Sequence, residues 1–217
     1  MHIIWKGQSC FQIIVSQQKG EQVKLVTDPF SNEIGFKLPK MEANVLLVSH
    51  QHYDHNNVKG VAGNPFLIEG PGEYEIRGIF IQGISSFHDS REGKERGRNT
   101  IYTIDAEDMR ICHLGDLGQK ELTPEQLDKI DNVDVLMVPV GGTYTVDAKG
   151  AASIISQIEP RIVIPMHYKI PKLKIKLDGV DRFLKEMGKK TSEAQQKLLV
   201  KKKDLPKEET KIVVLKP

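Results

Sequence analysis

The fold is decided by the segment VLLVSHQHYDH at residues 45–55, where a short apolar run leads directly into a cluster of metal-ligand side chains. Residues 45–48 have the length and composition of a buried strand, and Ser49 ends that run. The cluster therefore lies on a loop that leaves a buried strand. Loops held by a rigid sheet are where catalytic and binding residues are concentrated.

Three histidines and one aspartate make up this cluster: His50, His52, Asp54 and His55. On an extended segment His50 and His52 project to the same side, so both imidazoles can reach one metal ion. Where the chain then turns, Asp54 and His55 can hold a second ion. This ligand set suits zinc, and also iron or manganese. The spacing predicts a metal site, and the alternative is a polar loop that is merely rich in histidine.

The rest of the chain predicts a mixed α/β domain that spans residues 1–217. Short β-rich runs fill the first half, and two later apolar runs, at 133–138 and 162–164, also end in loops. Helices are predicted after Thr123, which is an N-cap candidate followed by Pro124, and at 147–158, 180–187 and 192–200. We expect residues 171–207 to form a lysine-rich helical segment.

Composition argues against a membrane or secreted protein. Apolar residues make up 39% of the chain and charged residues 28%, and no apolar run approaches the roughly 18 residues of a spanning helix. The N-terminus is too short and too polar for a signal peptide. Cys10 and Cys112 are far apart and are predicted to be reduced thiols, with a disulfide as the alternative. We expect a cytoplasmic protein with no membrane partner.

Positive charge is concentrated near the C-terminus. The net charge is +2, yet the residues from Pro171 onward include 13 Lys and one Arg against seven acidic residues, a local +7. Such a region can contact phosphates, which leaves a nucleic-acid partner open. The alternative is a solvated lysine-rich helical face.

The segment H-x-H-x-D-H resembles the signature of the metallo-β-lactamase fold superfamily, and further residues follow in that family's order. The resemblance implies a four-layer αββα sandwich with the metal site at the edge where two sheets meet. It implies that Asp28, in VTDP, supports the metal-binding loop without binding metal. It also implies one ion on His50, His52 and His88, a second on Asp54, His55 and His167, and Asp116 as the bridge. The cofactors are then two divalent ions, with zinc first and Mn2+ or Fe2+ as alternatives.

Three glycine-containing stretches, at 70–74, 96–100 and 139–143, are similar to the branch related to ascorbate-6-phosphate lactonase. Gln8 departs from the family pattern, because many relatives have histidine there. The resemblance implies a hydrolase in which metal-activated water attacks a small, anionic ester, lactone or phosphoester, with Asp54 orienting the water or relaying its proton. Such relatives often assemble, so a homo-oligomer is an open expectation.

Three other functions compete with this hydrolase. Di-iron redox relatives carry glutamate where this chain has His52, which argues against that class. A nuclease would draw on the basic C-terminal region. A metal-holding binding protein would use the fold as a scaffold, although the complete ligand set argues against it.

Overall fold

The computed structural model describes residues 1–17, 20–190 and 193–217. Fifteen strands occur in this part of the chain; in chain order they are β1 His2–Gly7, β2 Cys10–Ser16, β3 Gln22–Thr27, β4 Met41–Glu42, β5 Val45–Leu47, β6 Val61–Ala62, β7 Phe66–Ile68, β8 Gly72–Ile76, β9 Ile79–Phe87, β10 Arg98–Ala106, β11 Met109–His113, β12 Val135–Pro139, β13 Ile162–Met166, β14 Leu198–Leu199 and β15 Lys211–Ile212. The helices are α1 Pro124–Ile130, α2 Ala148–Ile158 and α3 Val180–Glu186.

The strands form two large sheets and one small one. The six-stranded sheet has the order β14-β1-β2-β3-β5-β7, and the seven-stranded sheet has the order β15-β13-β12-β11-β10-β9-β8. Strands β4 and β6 form a separate parallel pair. Each large sheet begins with antiparallel hairpins and becomes parallel further on, at β3-β5-β7 in one and at β11-β12-β13-β15 in the other. The predicted mixed α/β class is confirmed.

One apolar core joins the two large sheets. Trp5, Phe11 and Leu25 of the first sheet share a cluster of buried residues with Ile101 and Ile111 of the second. A polar contact also crosses between the sheets, because the hydroxyl of Tyr102 donates to the backbone oxygen of Val48 at 2.8 Å. This contact fixes the end of the strand that leads into the histidine cluster.

The three helices pack with the seven-stranded sheet. Helix α1 has the predicted N-cap: Thr123 accepts from the backbone N–H of Gln126, and the Gln126 side chain accepts from the backbone N–H of Thr123. Helix α2 begins after Asp147, whose side chain caps it. Ile154 of α2 and Phe183 of α3 are fully buried in the shared core.

The other face of the six-stranded sheet is covered by irregular structure. Val26 and Leu46 project from that face into a second apolar cluster with Phe30, Ile34 and Leu38. Short 3-10 turns at Asn32–Ile34 and Val58–Gly60 contribute to this layer. On this face the covering layer is therefore built from loops and 3-10 turns, whereas α1, α2 and α3 pack with the other sheet.

The prediction of a helical segment at 171–207 is wrong for most of its length. Only Val180–Glu186 is α-helical within the described residues. Residue 192, where the last predicted helix begins, lies outside those residues, and 193–200 is not helical. Instead Leu198–Leu199 pairs antiparallel with β1, with Leu198 buried and Leu199 exposed. Pairing with the open edge of β1 satisfies this backbone and overrides local helix propensity.

None of the helices within the described ranges has the length and hydrophobicity of a membrane span.

Candidate metal centre

Every predicted ligand lies in a loop that follows a strand. The histidine cluster follows β5, His88 follows β9 directly, and His167 follows β13 directly, while Asp116 lies three residues beyond β11. Asp28 follows β3 in the same way. These ends meet at one edge of the two sheets, so the fold brings together all seven residues predicted to bind metal.

The ligand side chains separate into two groups. The first is His50, His52 and His88, and the second is Asp54, His55, Asp116 and His167. Within each group the candidate ligand atoms all lie within 4.8 Å of one another. The backbone N–H of His55 donates to the backbone oxygen of His52 at 2.9 Å, which closes a tight turn. This turn directs the two halves of the H-x-H-x-D-H segment to different groups.

Asp116 lies between the two groups. Its Oδ2 is 3.1 Å from His55 Nε2 and 3.2 Å from His167 Nε2, both in the second group. The same oxygen is 3.4 Å from Nε2 of His88, which belongs to the first group. The position is that of a carboxylate able to contact two ions at once.

The chemistry of the site fits metal ions. His55 is fully buried and His167 is 1% exposed, yet the Nε2 atoms of both make no hydrogen bond in the described structure, although the Asp116 oxygen lies 3.1–3.2 Å away. Leaving such buried atoms unpaired is costly unless something else binds them. Imidazole nitrogens and carboxylate oxygens converging on one point are the donors that zinc, manganese and iron accept.

Electrostatics inside the site follow from burial and close charges. Although burial opposes charge on His55, Asp116 and Asp54 raise its pKa well above the usual value. Burial likewise opposes ionisation of Asp116, but His167 and His55 hold the pKa of that carboxyl well below its usual range. For His50 the pKa falls well below the usual value, because of burial and then of the positive charge on His55. A neutral imidazole is the form that binds a metal ion, so binding at His55 would release the proton that these carboxylates favour there.

Asp28 lies behind the ligands and contacts them through several donors. Its Oδ1 accepts from the backbone N–H of Ser49 at 2.7 Å, and its Oδ2 accepts from the Ser49 hydroxyl at 2.8 Å. His113 Nε2 lies 2.9 Å from the same Oδ2, and His55 Nδ1 lies 3.3 Å from it. The Ser49 hydroxyl also lies 2.9 Å from His50 Nδ1. Asp28 therefore contacts one histidine of the second group directly and one of the first group through Ser49.

Sequence reasoning did not identify Asn99, a buried residue of β10. Its Oδ1 accepts from the backbone N–H of Asp116 at 2.9 Å, and its Nδ2 donates to Leu114 O at 2.9 Å and to Ser86 Oγ at 2.7 Å. Asn99 thus ties the strand that leads to His88 to the loop that carries Asp116. No local pattern marks Asn99, because the strand that contains it also carries Arg98, Thr100, Thr103 and Asp105.

The loop before Asp116 needs a glycine. Gly115 has φ +55°, and a Cβ there would lie 2.4 Å from Asn99 Oδ1 and 2.7 Å from Ser49 Cβ. A larger residue would separate Asp116 from Asn99. Serine also supports this carboxylate, since Ser9 Oγ donates to Asp116 Oδ1 at 3.1 Å.

Gln8, where the family pattern often has histidine, borders the second group. It is fully buried, and its Nε2 lies 3.3 Å from Asp54 Oδ2. Its backbone oxygen accepts from the backbone N–H of His167 at 3.1 Å and from the indole of Trp5 at 2.8 Å. Gln8 therefore positions two members of the second group, one through its side chain and one through its backbone.

Both cysteines are free and fully buried, as predicted. Burial raises the pKa of each thiol, so neither is a reactive thiolate.

The chain matches one family model and resembles known metal-dependent hydrolases. A family model described as the β-lactamase superfamily domain matches residues 2–167, a range that includes all seven predicted ligands. The chain is 30% identical over 195 residues to a metal-dependent hydrolase of Thermoplasma volcanium, covering 76% of this chain and 82% of the relative.

Two solved structures support the same fold. One, from Thermotoga maritima, is described as a Zn-dependent hydrolase of the metallo-β-lactamase superfamily. It is 37% identical to this chain with a TM-score of 0.78, and the alignment covers 99% of this chain and 97% of that one. Another, described as a metal-dependent hydrolase of Parabacteroides distasonis, has a TM-score of 0.64 at 16% identity and covers 99% and 93% of the two chains. At that identity the second match supports the fold alone.

Proposed function

The chain belongs to the metallo-β-lactamase superfamily as a metal-dependent hydrolase, and we propose that it cleaves a small anionic ester, lactone or phosphoester with two zinc ions. The observation that carries the two-ion proposal is the position of Asp116, whose Oδ2 lies 3.1–3.4 Å from histidine nitrogens of both ligand groups. One carboxylate oxygen that close to both groups is suited to a shared ligand.

We assign the first ion to His50, His52 and His88, and the second to Asp54, His55 and His167, with Asp116 shared. When bound, such ions act as Lewis acids toward a carbonyl or phosphoryl oxygen and lower the pKa of coordinated water. Asp28, Ser49 and Asn99 hold the ligands in place through the hydrogen bonds described above. Outer partners of this kind orient metal-binding histidines and carboxylates.

Asp54 is the residue we assign to handling the proton of the attacking water. It is 8% exposed and faces the cavity over the site. Gln8 Nε2, 3.3 Å from Oδ2, fixes the orientation of this carboxylate. An ionised Asp54 carboxylate can accept a hydrogen bond from water and orient it toward a substrate.

The proposed chemistry is hydrolytic rather than redox. His52 stands where the di-iron redox relatives have glutamate, and a set of three imidazoles such as the first group is known from catalytic zinc sites. The preference for a lactone or ester rests on the similarity of residues 70–74, 96–100 and 139–143 to the lactonase-related branch.

Metal analysis combined with a substrate panel tests this proposal. We expect the purified protein to bind about two zinc ions and Asp116→Ala to lose the second ion together with activity on esters, lactones or phosphodiesters, because the shared ligand is gone. Lys149→Gln, at an exposed position of α2, serves as a control and should behave as wild type. Full activity in metal-stripped protein would refute the proposal.

A further inference from the structure

One backbone oxygen links the two sheets behind the second ligand group. Gln8 O accepts a hydrogen bond from the backbone N–H of His167 at 3.1 Å and another from the indole N–H of Trp5 at 2.8 Å. Gln8 lies in the turn between β1 and β2, whereas His167 follows β13 of the other sheet. The position of this ligand relative to the first sheet therefore depends on a carbonyl group that an indole also binds.

Both residues that this hydrogen bond joins have a left-handed backbone. Gln8 has φ 49° and His167 has φ 51°, values that residues with a Cβ rarely adopt. Such conformations persist only where the surrounding contacts hold them in place. Because Gln8 O and the His167 N–H bind each other, the two strained positions stabilise one another. The indole of Trp5 is the third group at this junction.

His167 differs from His50 in what fixes its imidazole ring. The Nδ1 of His167 is buried and makes no hydrogen bond within the part of the chain that the structure describes. In His50, by contrast, Nδ1 lies 2.9 Å from the Ser49 hydroxyl. Metal-binding histidines usually donate the second ring nitrogen to a polar partner, which fixes the ring. The orientation of His167 therefore has to come from its backbone and from the residues packed beside it.

Trp5 contacts this part of the chain in two ways. It is 1% exposed, within the core that joins the two sheets. Besides its hydrogen bond to Gln8 O, its ring lies 4.8 Å from the ring of Tyr168, with the two planes tilted by 34°. Tyr168 directly follows His167, and its hydroxyl donates to Leu215 O at 3.1 Å. Trp5 thus holds the N–H of His167 through Gln8 and packs against the residue that comes next.

We propose that Trp5 is the positioning residue of His167, and that its indole N–H sets the affinity of the second ligand group for a metal ion. This inference rests on the proposed assignment of two ions and concerns the one assigned to His167. Without the indole donor, Gln8 O keeps its bond to His167 but loses its hydrogen bond to the core. A shift of this carbonyl moves the His167 backbone with it, and so moves Nε2 relative to Asp116 Oδ2, 3.2 Å away.

Zinc affinities in two backgrounds test the inference without requiring turnover. His52→Ala leaves the second group complete, and His167→Ala leaves the first group complete. Trp5→Phe keeps an aromatic ring but has no N–H, and it is added to each background and titrated with zinc against a chromophoric chelator. In His52→Ala we expect it to weaken zinc binding about tenfold, because an orienting partner is lost. In His167→Ala the change should stay below about twofold, because the first group does not depend on that partner.

Ile3→Ala controls for the loss of core packing. Ile3 lies on the same strand as Trp5, is fully buried in the same core and loses a similar number of side-chain atoms. It should lower the urea midpoint of unfolding, as Trp5→Phe does, and leave zinc affinity unchanged in both backgrounds. An equal loss of zinc affinity in the two backgrounds, no loss in either, or a loss in Ile3→Ala as large as that in Trp5→Phe would overturn the inference.

The fluorescence of Trp5 gives a second test that leaves the core unaltered. Trp5 is the single tryptophan of the chain, and zinc binding at His167 should change its emission through Gln8 O. We expect this change in wild type and in His52→Ala, and its loss in His167→Ala.

This emission test also covers two outcomes that the affinities leave open. If Trp5→Phe does not fold, zinc that binds to His52→Ala without changing the emission of Trp5 overturns the inference. If wild type binds one zinc ion rather than two, the proposed two-ion function fails. The emission of His52→Ala and His167→Ala then still decides the role of Trp5.

Discussion

Replacing Asp28 by asparagine tests how the ligand loop is supported. The substitution keeps the size of the side chain but removes its charge and places an amide NH2 where one carboxylate oxygen was. At one oxygen position the NH2 would face the backbone N–H of Ser49. At the other it would face the Ser49 hydroxyl and His113 Nε2, with His55 Nδ1 3.3 Å away. In either orientation at least one buried donor loses its acceptor.

The expected loss follows from these contacts. A buried donor without a partner costs about 1–3 kcal/mol, and a hydrogen bond to a charged group contributes about 1.5–3 kcal/mol. Because relaxation recovers part of that sum, we expect the unfolding free energy of the metal-free protein to fall by about 2–4 kcal/mol. Zinc affinity should fall roughly 10–100-fold, because histidines of both groups lose their orienting partner.

Two measurements keep these effects separate. Urea unfolding of metal-free protein can be followed by the fluorescence of Trp5, the single tryptophan, which is 1% exposed. Zinc affinity is measured by competition with a chromophoric chelator. Asp105→Asn is the matched control: its partly exposed pair with Arg110 should cost less than about 1 kcal/mol and leave zinc affinity unchanged. A change in Asp28→Asn below about 0.5 kcal/mol, the size of an ordinary surface substitution, with zinc affinity unaltered, would refute the supporting role.

Three further changes have defined outcomes. Gly141→Ala should weaken metal binding and lower the unfolding free energy by about 1–3 kcal/mol, because its Cβ would lie 2.1 Å from His167 O. Gly70→Ala is the control, because no atom lies within 4 Å of its Cβ. Equal zinc affinity of the two variants in chelator titrations would contradict the expectation. Thr123→Ala should lower the unfolding free energy by about 1 kcal/mol through loss of the helix cap and leave zinc content unchanged, as metal analysis can check. Chelation should lower the Tm of the zinc-loaded protein, since zinc at 100 times its Kd stabilises the folded state by about 2.7 kcal/mol. In Asp116→Ala, calorimetry should detect a smaller decrease in Tm on chelation. A decrease equal to that of wild type would contradict shared ligation by Asp116.

Local patterns in the sequence were sufficient for the strand that leads to the cluster and for the first helix cap. The apolar run at residues 45–48 predicts a buried strand, and Thr123 followed by Pro124 predicts the start of a helix. Both predictions succeed because each signal depends only on residues that are neighbours in the chain. The structure of the segment at 193–200, by contrast, depends on a partner that is distant in the sequence. Its leucines pair with β1, nearly 200 residues away, and no local periodicity reports such a partner.

The same distinction separates ligands from the residues that position them. Histidine and aspartate are recognisable from their residue types and their clustering, whereas Ser9 and Asn99 matter only because of the groups that they contact in the fold. Ser9 and Asp116 are 107 residues apart in sequence, and Asp28 and His113 are 85 apart. These contacts exist only after the two sheets have packed. The residues that orient the ligands therefore include some, such as Ser9 and Asn99, that no local pattern in the sequence marks.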